Sequence, residues 1–334
     1  MLYIPFETVA AELARVLEKL GCSKEQAAEV SYIMAENSLE GVYTHGVNRF
    51  MRLVSNIKDG IVLPNVKAEK VNGLGGLEIW DGQSGLGVTN ALICAKRAIE
   101  LAKEHGIGCI GLRNTNHWMR AGTYAKMAAD AGMISIAYTN TVPNMPAWGA
   151  LDARLGNNPI SLGVPCSKGH VIADLAMSQF SYGKLETSVL NGKKLPMAGG
   201  FDKDGNLTDD PAAILETRRI MPTGYWKGSA MANLLDLMTS ALSMGRCTMD
   251  IGRSTTDECR ISQTFIVINY RALVDAEEVD KKIIESIEYT KGSVLADENS
   301  PVRIPGESAI RTRAENLKNG IPINEGVWAQ ITAL

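Results

Sequence analysis

The sequence predicts an α/β fold: a central mixed sheet with flanking helices, joined to a helical domain built from both ends of the chain. Three observations predict it. Apolar residues recur at helical spacing near the N-terminus. From about residue 68 short apolar runs alternate with helical patterns. Helical spacing then returns over the last part of the chain.

The elements can be justified in order. "FETVAAELARVLEKLG" puts Val9, Leu13, Val16, Leu17 and Leu20 on one stripe, and Gly21 is a natural stop. "SKEQAAEVSYIMAENSLEG" opens with Ser23 and has Gln26 three residues on, a capping box. A third helix is predicted from near Thr44, carrying Phe50, Leu53, Val54 and Ile57. The middle of the chain supplies strand-like runs in "GLEIWD", "IGCIGLRN", "MISIAYTN", "ISLGVP", "HVIADLA" and "QTFIVINY". Helical patterns in "NALICAKRAIELAKEHG", "KMAADAG" and "KGSAMANLLDLMTSALSMG" lie between them. The stretch from Met177 to about Thr223 is rich in Gly, Asp and Lys and reads as a surface excursion. "AEEVDKKIIESIEYTKG", "AIRTRAENLKNG" and "NEGVWAQITAL" are helical again. The expected division is residues 1–70 with 275–334 as a discontinuous helical domain, and 71–274 as the α/β domain that binds cofactor and substrate.

Bulk properties exclude several classes. The chain has 334 residues, 45% hydrophobic and 21% charged, which fits a soluble globular protein. A net charge of -3 gives no reason to expect nucleic acid or an anionic membrane as partner. The N-terminus lacks the basic region and apolar run of a signal peptide, and no apolar run is long enough for a membrane span. The six scattered cysteines form no C-x-x-C pair, so unpaired thiols in a cytoplasmic protein are expected, with no bound metal.

Six places carry candidate chemistry. "GLGVTN", Gly85 to Asn90, has two glycines of a dinucleotide fingerprint, but Asn90 holds the third position, so it reads as a turn and helix cap. In "EGVYTHGVNRF", His45 and Arg49 stand at i and i+4, which on a helix is one shared face. An imidazole can protonate an alkoxide near neutral pH, and a guanidinium can grip a carboxylate. Two cations near a helix start repel, and both effects lower the histidine's pKa. A proton donor there needs an acidic neighbour or a bound anion. On spacing alone, a solvated helix start is the better reading.

"RNTNHWMRAGTY" clusters Asn114, Asn116, His117 and Arg120 after an apolar strand, where α/β sheets bind ligands, although loop capping explains it equally well. "GNNPISLGVP" and "MPTGYWKGSAM" mark two further junctions. In the second, helix-start N–H groups and Lys227 could meet a phosphate. Asp174, a carboxylate within an apolar run, needs a partner: a histidine, a ribose or water at a strand end.

Taken together, "YTHGVNRF", "HGIGCIGLRNTNHWMRAGTYA", "GNNPISLGVP", "ADLAMSQFSYGKLE", "GYWKGSAM" and "RIPGE" resemble the malate/L-lactate dehydrogenase-like oxidoreductases. The resemblance runs from residue 40 to 307. It implies the non-Rossmann, L-sulfolactate/malate dehydrogenase-like fold and NAD(P)H-dependent reduction of a 2-oxo acid. It makes His45 the proton donor, with Arg49, Asn116 and His117 at the substrate. The cofactor, NADH in preference to NADPH, is expected against His170, Val171, Ile172, Ala173, Asp174, Leu175 and Ala176, against Trp226 and Lys227, and against Gly306, Glu307 and Ser308. A homodimer in which both subunits shape the cleft is also implied. Within the family, "GVYTHGVNRF", "NHWMRAG" and "PTGYWKGSAM" look like the branch acting on a sugar-derived 2,3-diketo acid. The alternatives are the branches for malate, lactate, ureidoglycolate or a cyclic imino acid, or a non-catalytic binding protein.

Two positions depart from the pattern. Thr44 replaces the usual serine and keeps the hydroxyl, to cap the helix or steady the ring. Glu307 and Ser308 replace His and Glu of the nearest branch, which bears on cofactor choice. Gly46, next to His45, is read as small enough to admit the substrate.

Overall fold

The structure is a computed structural model that describes residues 1–254 and 258–334. Seven strands form the central sheet: β1 (Glu69–Leu74), β2 (Leu77–Asp81), β3 (Ile107–Thr115), β4 (Ile134–Thr139), β5 (Ile160–Val164), β6 (Val171–Leu175) and β7 (Ile261–Ile268). Their spatial order is β1-β2-β3-β7-β4-β5-β6. Only β2 and β3 pair in parallel, and every other neighbouring pair is antiparallel. The expected alternation is present, because helix Gly87–His105 links β2 to β3 and helix Ala121–Asp130 links β3 to β4. β7, arriving late in the chain, inserts antiparallel between β3 and β4 and converts a parallel run into a mixed sheet. All six strands expected from the sequence form. β1 was not foreseen, since every residue of it is exposed and no alternation marks it.

Side chains alternate across β7, so its two faces can be told apart. Phe265 and Val267 join the larger core, which continues through Ile110 and Phe50 to Leu13 and Val9 of the N-terminal helix. Ile266, between them, packs against a smaller core made by Leu185, Ile214, Ile220 and Leu235. The stretch from Met177 to Thr223 is therefore more than a surface excursion. It contributes helices Tyr182–Leu190 and Pro211–Thr217, and their buried leucine and isoleucine form part of that second core.

The two ends of the chain meet. Leu2–Ile4 pairs antiparallel with Ile321–Ile323, and helix Phe6–Lys19 packs on helix Glu325–Thr332. The terminal helices Ala276–Lys291, Glu307–Asn319 and Glu325–Thr332 fall where their apolar spacing predicts. Of these, Glu325–Thr332 joins the larger core through Ile331.

Next to the exposed edge strand β1, β2 carries a buried carboxylate. Glu78 is 1% exposed and accepts from Lys70 Nζ at 2.7 Å, Arg97 Nη2 at 3.0 Å and Trp80 Nε1 at 2.9 Å. Burial alone would raise its pKa, but these donors outweigh burial and pull it from 4.5 down to about 2. A depressed folded-state pKa stabilises above the unfolded value and is lost as pH falls through the folded one. Glu78→Gln should lower the unfolding free energy by about 2 kcal/mol at pH 7, because a buried pair has been broken. Urea titrations at descending pH should show that deficit shrinking from about pH 4.5, where Glu78 of the unfolded chain begins to protonate, down to about pH 2, where the folded one does.

Candidate active site

Helix Lys24–Leu39 sets the position of His45. After its end the chain makes two successive 3₁₀ turns, Tyr43–His45 and Val47–Arg49, and the next α-helix begins only at Phe50. The helix predicted from Thr44 is thus interrupted, and His45 and Arg49 do not share a helical face. The cause is Gly46, at φ -117° and ψ -131°. A Cβ on Gly46 would lie 2.0 Å from Ser38 Oγ and 2.8 Å from the Met34 carbonyl oxygen. Its small size serves packing against that helix and not admission of a substrate. Two polar residues of the helix complete the anchorage. Ser38 Oγ accepts from the Val47 amide at 2.9 Å, and Asn37 Nδ2 donates to the His45 carbonyl at 2.9 Å.

Thr44 steadies the ring and does not cap a helix. Its Oγ1 lies 3.1 Å from His45 Nδ1, which leaves Nε2 as the ring nitrogen available for chemistry. The His117 ring stacks on His45 with centroids 5.5 Å apart and an interplanar angle of 21°. The His117 Nδ1 accepts the Met119 amide at 2.9 Å, and its Nε2 lies 3.5 Å from Glu258 Oε1. Burial first, then Arg49 and Arg120, lower the His45 pKa to about 4. Burial, Arg49, His45 and Arg52 hold His117 well below its usual range. Burial raises the Glu258 carboxyl, with Arg49 and Arg52 opposing it.

A cleft of about 540 Å³ opens at His45 and His117. Arg120 lines it, held by Glu40 and lying 3.9 Å from Asp174. Glu40 also meets Arg313 of helix Glu307–Asn319 at 3.3 Å, so the C-terminal helix is tied to the cleft wall. Arg49 sits on the other side of His117. Its guanidinium lies 3.9 Å from Glu258 in a small enclosed pocket shared with Arg52 and Asn116. Asn116 donates to the Ser84 and Gly85 carbonyls at 2.8 and 2.9 Å, so it pins a loop. The "GLGVTN" segment opens helix Gly87–His105 as a turn, but no side chain caps the helix; Asn90, inside its first turn, donates to the Gly82 carbonyl at 2.8 Å and ties the preceding loop to the helix.

Of the expected cofactor segment, Ile172, Asp174 and Ala176 line the cleft together with Gly306 and Ser308. Val171, Ala173 and Leu175 alternate with them along β6 and pair with β5. His170 lies outside this cleft, 3.0 Å from Asp130. Glu307 turns to Lys291 at 2.6 Å and accepts from the Ile304 amide at 3.2 Å. Trp226, 61% exposed, and Lys227 open helix Trp226–Ser243 and do not line the cleft. Asp174 accepts from the Gly122 amide at 2.8 Å and not from a histidine. Sequence reasoning missed Glu258 and Glu40, and named Arg120 only as part of a cluster. Glu258 stands in a polar stretch with no periodic signal, and only the fold brings it to His117.

The lining suits a nicotinamide cofactor. Gly306, at φ +100°, lies against the open edge of β6, where a Cβ would come 3.0 Å from the His170 carbonyl. The Ile172 amide donates to the Pro305 carbonyl at 3.2 Å and closes that edge. Small side chains at Ala176 and Ala309, beside polar Asn157, Asp174 and Ser181, leave room for a planar ring with a polar edge.

Comparison with known proteins agrees. The family described as malate/L-lactate dehydrogenase matches residues 4–332. The chain belongs to that family of oxidoreductases, and a dehydrogenase of this kind works with a nicotinamide cofactor. It is 42% identical over 331 residues to the 2,3-diketo-L-gulonate reductase of Escherichia coli strain K12, covering 99% of each chain. Among solved structures it superposes on sulfolactate dehydrogenase from Methanocaldococcus jannaschii with TM-score 0.91 and 29% identity, covering 99% of this chain and 95% of that one. It superposes on malate dehydrogenase from Entamoeba histolytica with TM-score 0.94 and 26% identity, covering 99% and 96%.

Because Gly46 is wedged between His45 and helix Lys24–Leu39, Gly46→Ala should destabilise the fold by about 2–4 kcal/mol through overpacking. A fall of several degrees in the thermal midpoint checks this, and activity should fall at temperatures where the variant is still folded.

Proposed function

We propose that this protein is an NADH-dependent reductase of a sugar-derived 2-oxo acid, converting 2,3-diketo-L-gulonate to 3-keto-L-gulonate, with His45 as proton donor. The observation that carries the reading is the cleft shared by His45, His117 and the β6–Gly306 wall. The full-length likeness to a protein with that named activity supports the substrate.

When bound, the nicotinamide supplies the hydride. Residues Ile172, Asp174, Ala176, Gly306 and Ser308 hold it, and Val171, Ala173 and Leu175 keep β6 in register beneath it. On this reading His170, Trp226, Lys227 and Glu307, which lie outside the cleft, would meet the rest of the cofactor. His117 is common to the cleft and to the pocket of Arg49 and Asn116. On this reading His117 faces the substrate carboxylate, the guanidinium of Arg49 behind it supplies attraction, and Asn116 shapes that wall by pinning the loop at Ser84 and Gly85.

His45 is neutral in the free protein, since burial and two arginines depress its pKa. An arriving carboxylate offsets those cations and lets the ring take up a proton. The ring then gives that proton from Nε2 to the developing alkoxide, while Thr44 holds Nδ1.

NADH is preferred over NADPH on this reading. The cavity beside His170 sets Asp130, Glu277, Asp280, Glu285 and Glu288 against Lys168, Arg271 and Lys281, and the acidic excess disfavours an added phosphate. A homodimer is supported by helix Trp226–Ser243, which exposes Met231, Leu234, Leu237 and Met238. No helix among the described residues is long and apolar enough to cross a membrane, and we place the enzyme in the cytoplasm.

A panel of 2-oxo acids followed at the NADH absorbance band tests the substrate. Turnover of malate's or lactate's oxo acid with none of diketogulonate would move the protein to a sibling branch. The His45→Ala variant should lose about 10²–10⁴ in kcat/KM while still binding NADH, as read by cofactor fluorescence. Unchanged turnover would remove His45 from the role.

A further inference from the structure

Glu258 has no part in the mechanism above, yet its carboxylate is buried against the back of the site. It approaches the stacked rings from the far side, 3.5 Å from His117 Nε2 and 3.9 Å from Arg49. Arg49 and Arg52 both act on it electrostatically. The other nitrogen of His117 accepts the Met119 amide at 2.9 Å. A ring nitrogen that accepts a hydrogen bond carries no proton, so the proton of neutral His117 sits on Nε2, facing the carboxylate. At 3.5 Å the contact is electrostatic in character and longer than an ordinary hydrogen bond. Adding a second proton to His117 would set an N–H against the Met119 N–H, donor against donor. Two charged rings stacked 5.5 Å apart would also repel.

We propose that Glu258 is a positioning residue for the reaction: its carboxylate holds His117 in the tautomer with the proton on Nε2, so that of the two stacked rings only His45 takes up and gives back the catalytic proton. The same carboxylate offsets one of the two guanidinium charges of Arg49 and Arg52. By offsetting Arg49, the carboxylate reduces the opposition of that guanidinium to protonation of His45. This proposal rests on the reading of His45 as proton donor, but its main test does not need turnover.

Selective ¹⁵N labelling of the four histidines lets the tautomer be read by NMR. Wild-type His117 should show an unprotonated Nδ1 and a protonated Nε2, and Glu258→Ala should show a mixture. A proton on Nδ1 in the wild type would overturn the proposal whatever the substrate proves to be. The isosteric Glu258→Gln variant gives the kinetic readout. Its loss of charge should move the alkaline limb of kcat/KM for reduction to lower pH by about half a unit or more, about a threefold change in the protonated fraction of His45. Glu258→Asp should restore most of that shift. A Glu258→Gln profile superimposed on wild type, with only thermal stability reduced, would show a structural role alone and overturn the assignment.

Discussion

Two imidazole rings stacked 5.5 Å apart and hemmed by arginines cannot both be positively charged, and the architecture of the site follows from that constraint. His117 is committed on both nitrogens, to the Met119 amide and to Glu258. His45 is committed on one, to Thr44. The asymmetry makes His45 the ring that can exchange a proton with a ligand. Its position is fixed by Asn37, Ser38 and Gly46, all acting through the end of one helix.

The fold supplies the other half. β6 is an edge strand, so the face carrying Ile172, Asp174 and Ala176 is not covered by another strand on its outer side. The chain returns at Pro305 and Gly306 to close that edge, and the following helix reaches Glu40 through Arg313. Glu40 in turn holds Arg120, whose charge is felt at His45. The pairing of the chain ends, Leu2–Ile4 with Ile321–Ile323, keeps the C-terminal helices beside the N-terminal ones that carry the catalytic turn.

Much of this was legible in the sequence. Period-2 patterns marked six of the seven sheet strands, and apolar residues at helical spacing marked the terminal helices even though Ala276–Lys291 buries none of its residues fully. β1 escaped because it buries none, and the Met177–Thr223 region escaped because its short helices carry few apolar residues among many polar ones. At the site, spacing drew attention to His45 and Arg49 and correctly demanded an offset for their charge. It placed them on a helix that Gly46 interrupts, since a glycine's steric necessity depends on a neighbour, here Ser38, that no local pattern reveals. Glu258 and Glu40 were invisible for the same reason: each acts on a residue far away in the chain. The motif resemblance, and not periodicity, carried the cofactor segment.

The central claim is that His45 lies uncharged until a substrate carboxylate arrives and then takes up a proton. An NMR titration of His45 in the NADH-bound protein, with and without an unreactive 2-hydroxy acid analogue, tests it most directly. The account predicts a pKa well below the ordinary histidine value without the analogue, about 4 in the protein alone, and a clear rise when the analogue binds. A pKa near the ordinary histidine value of about 6.5 in both states would contradict it.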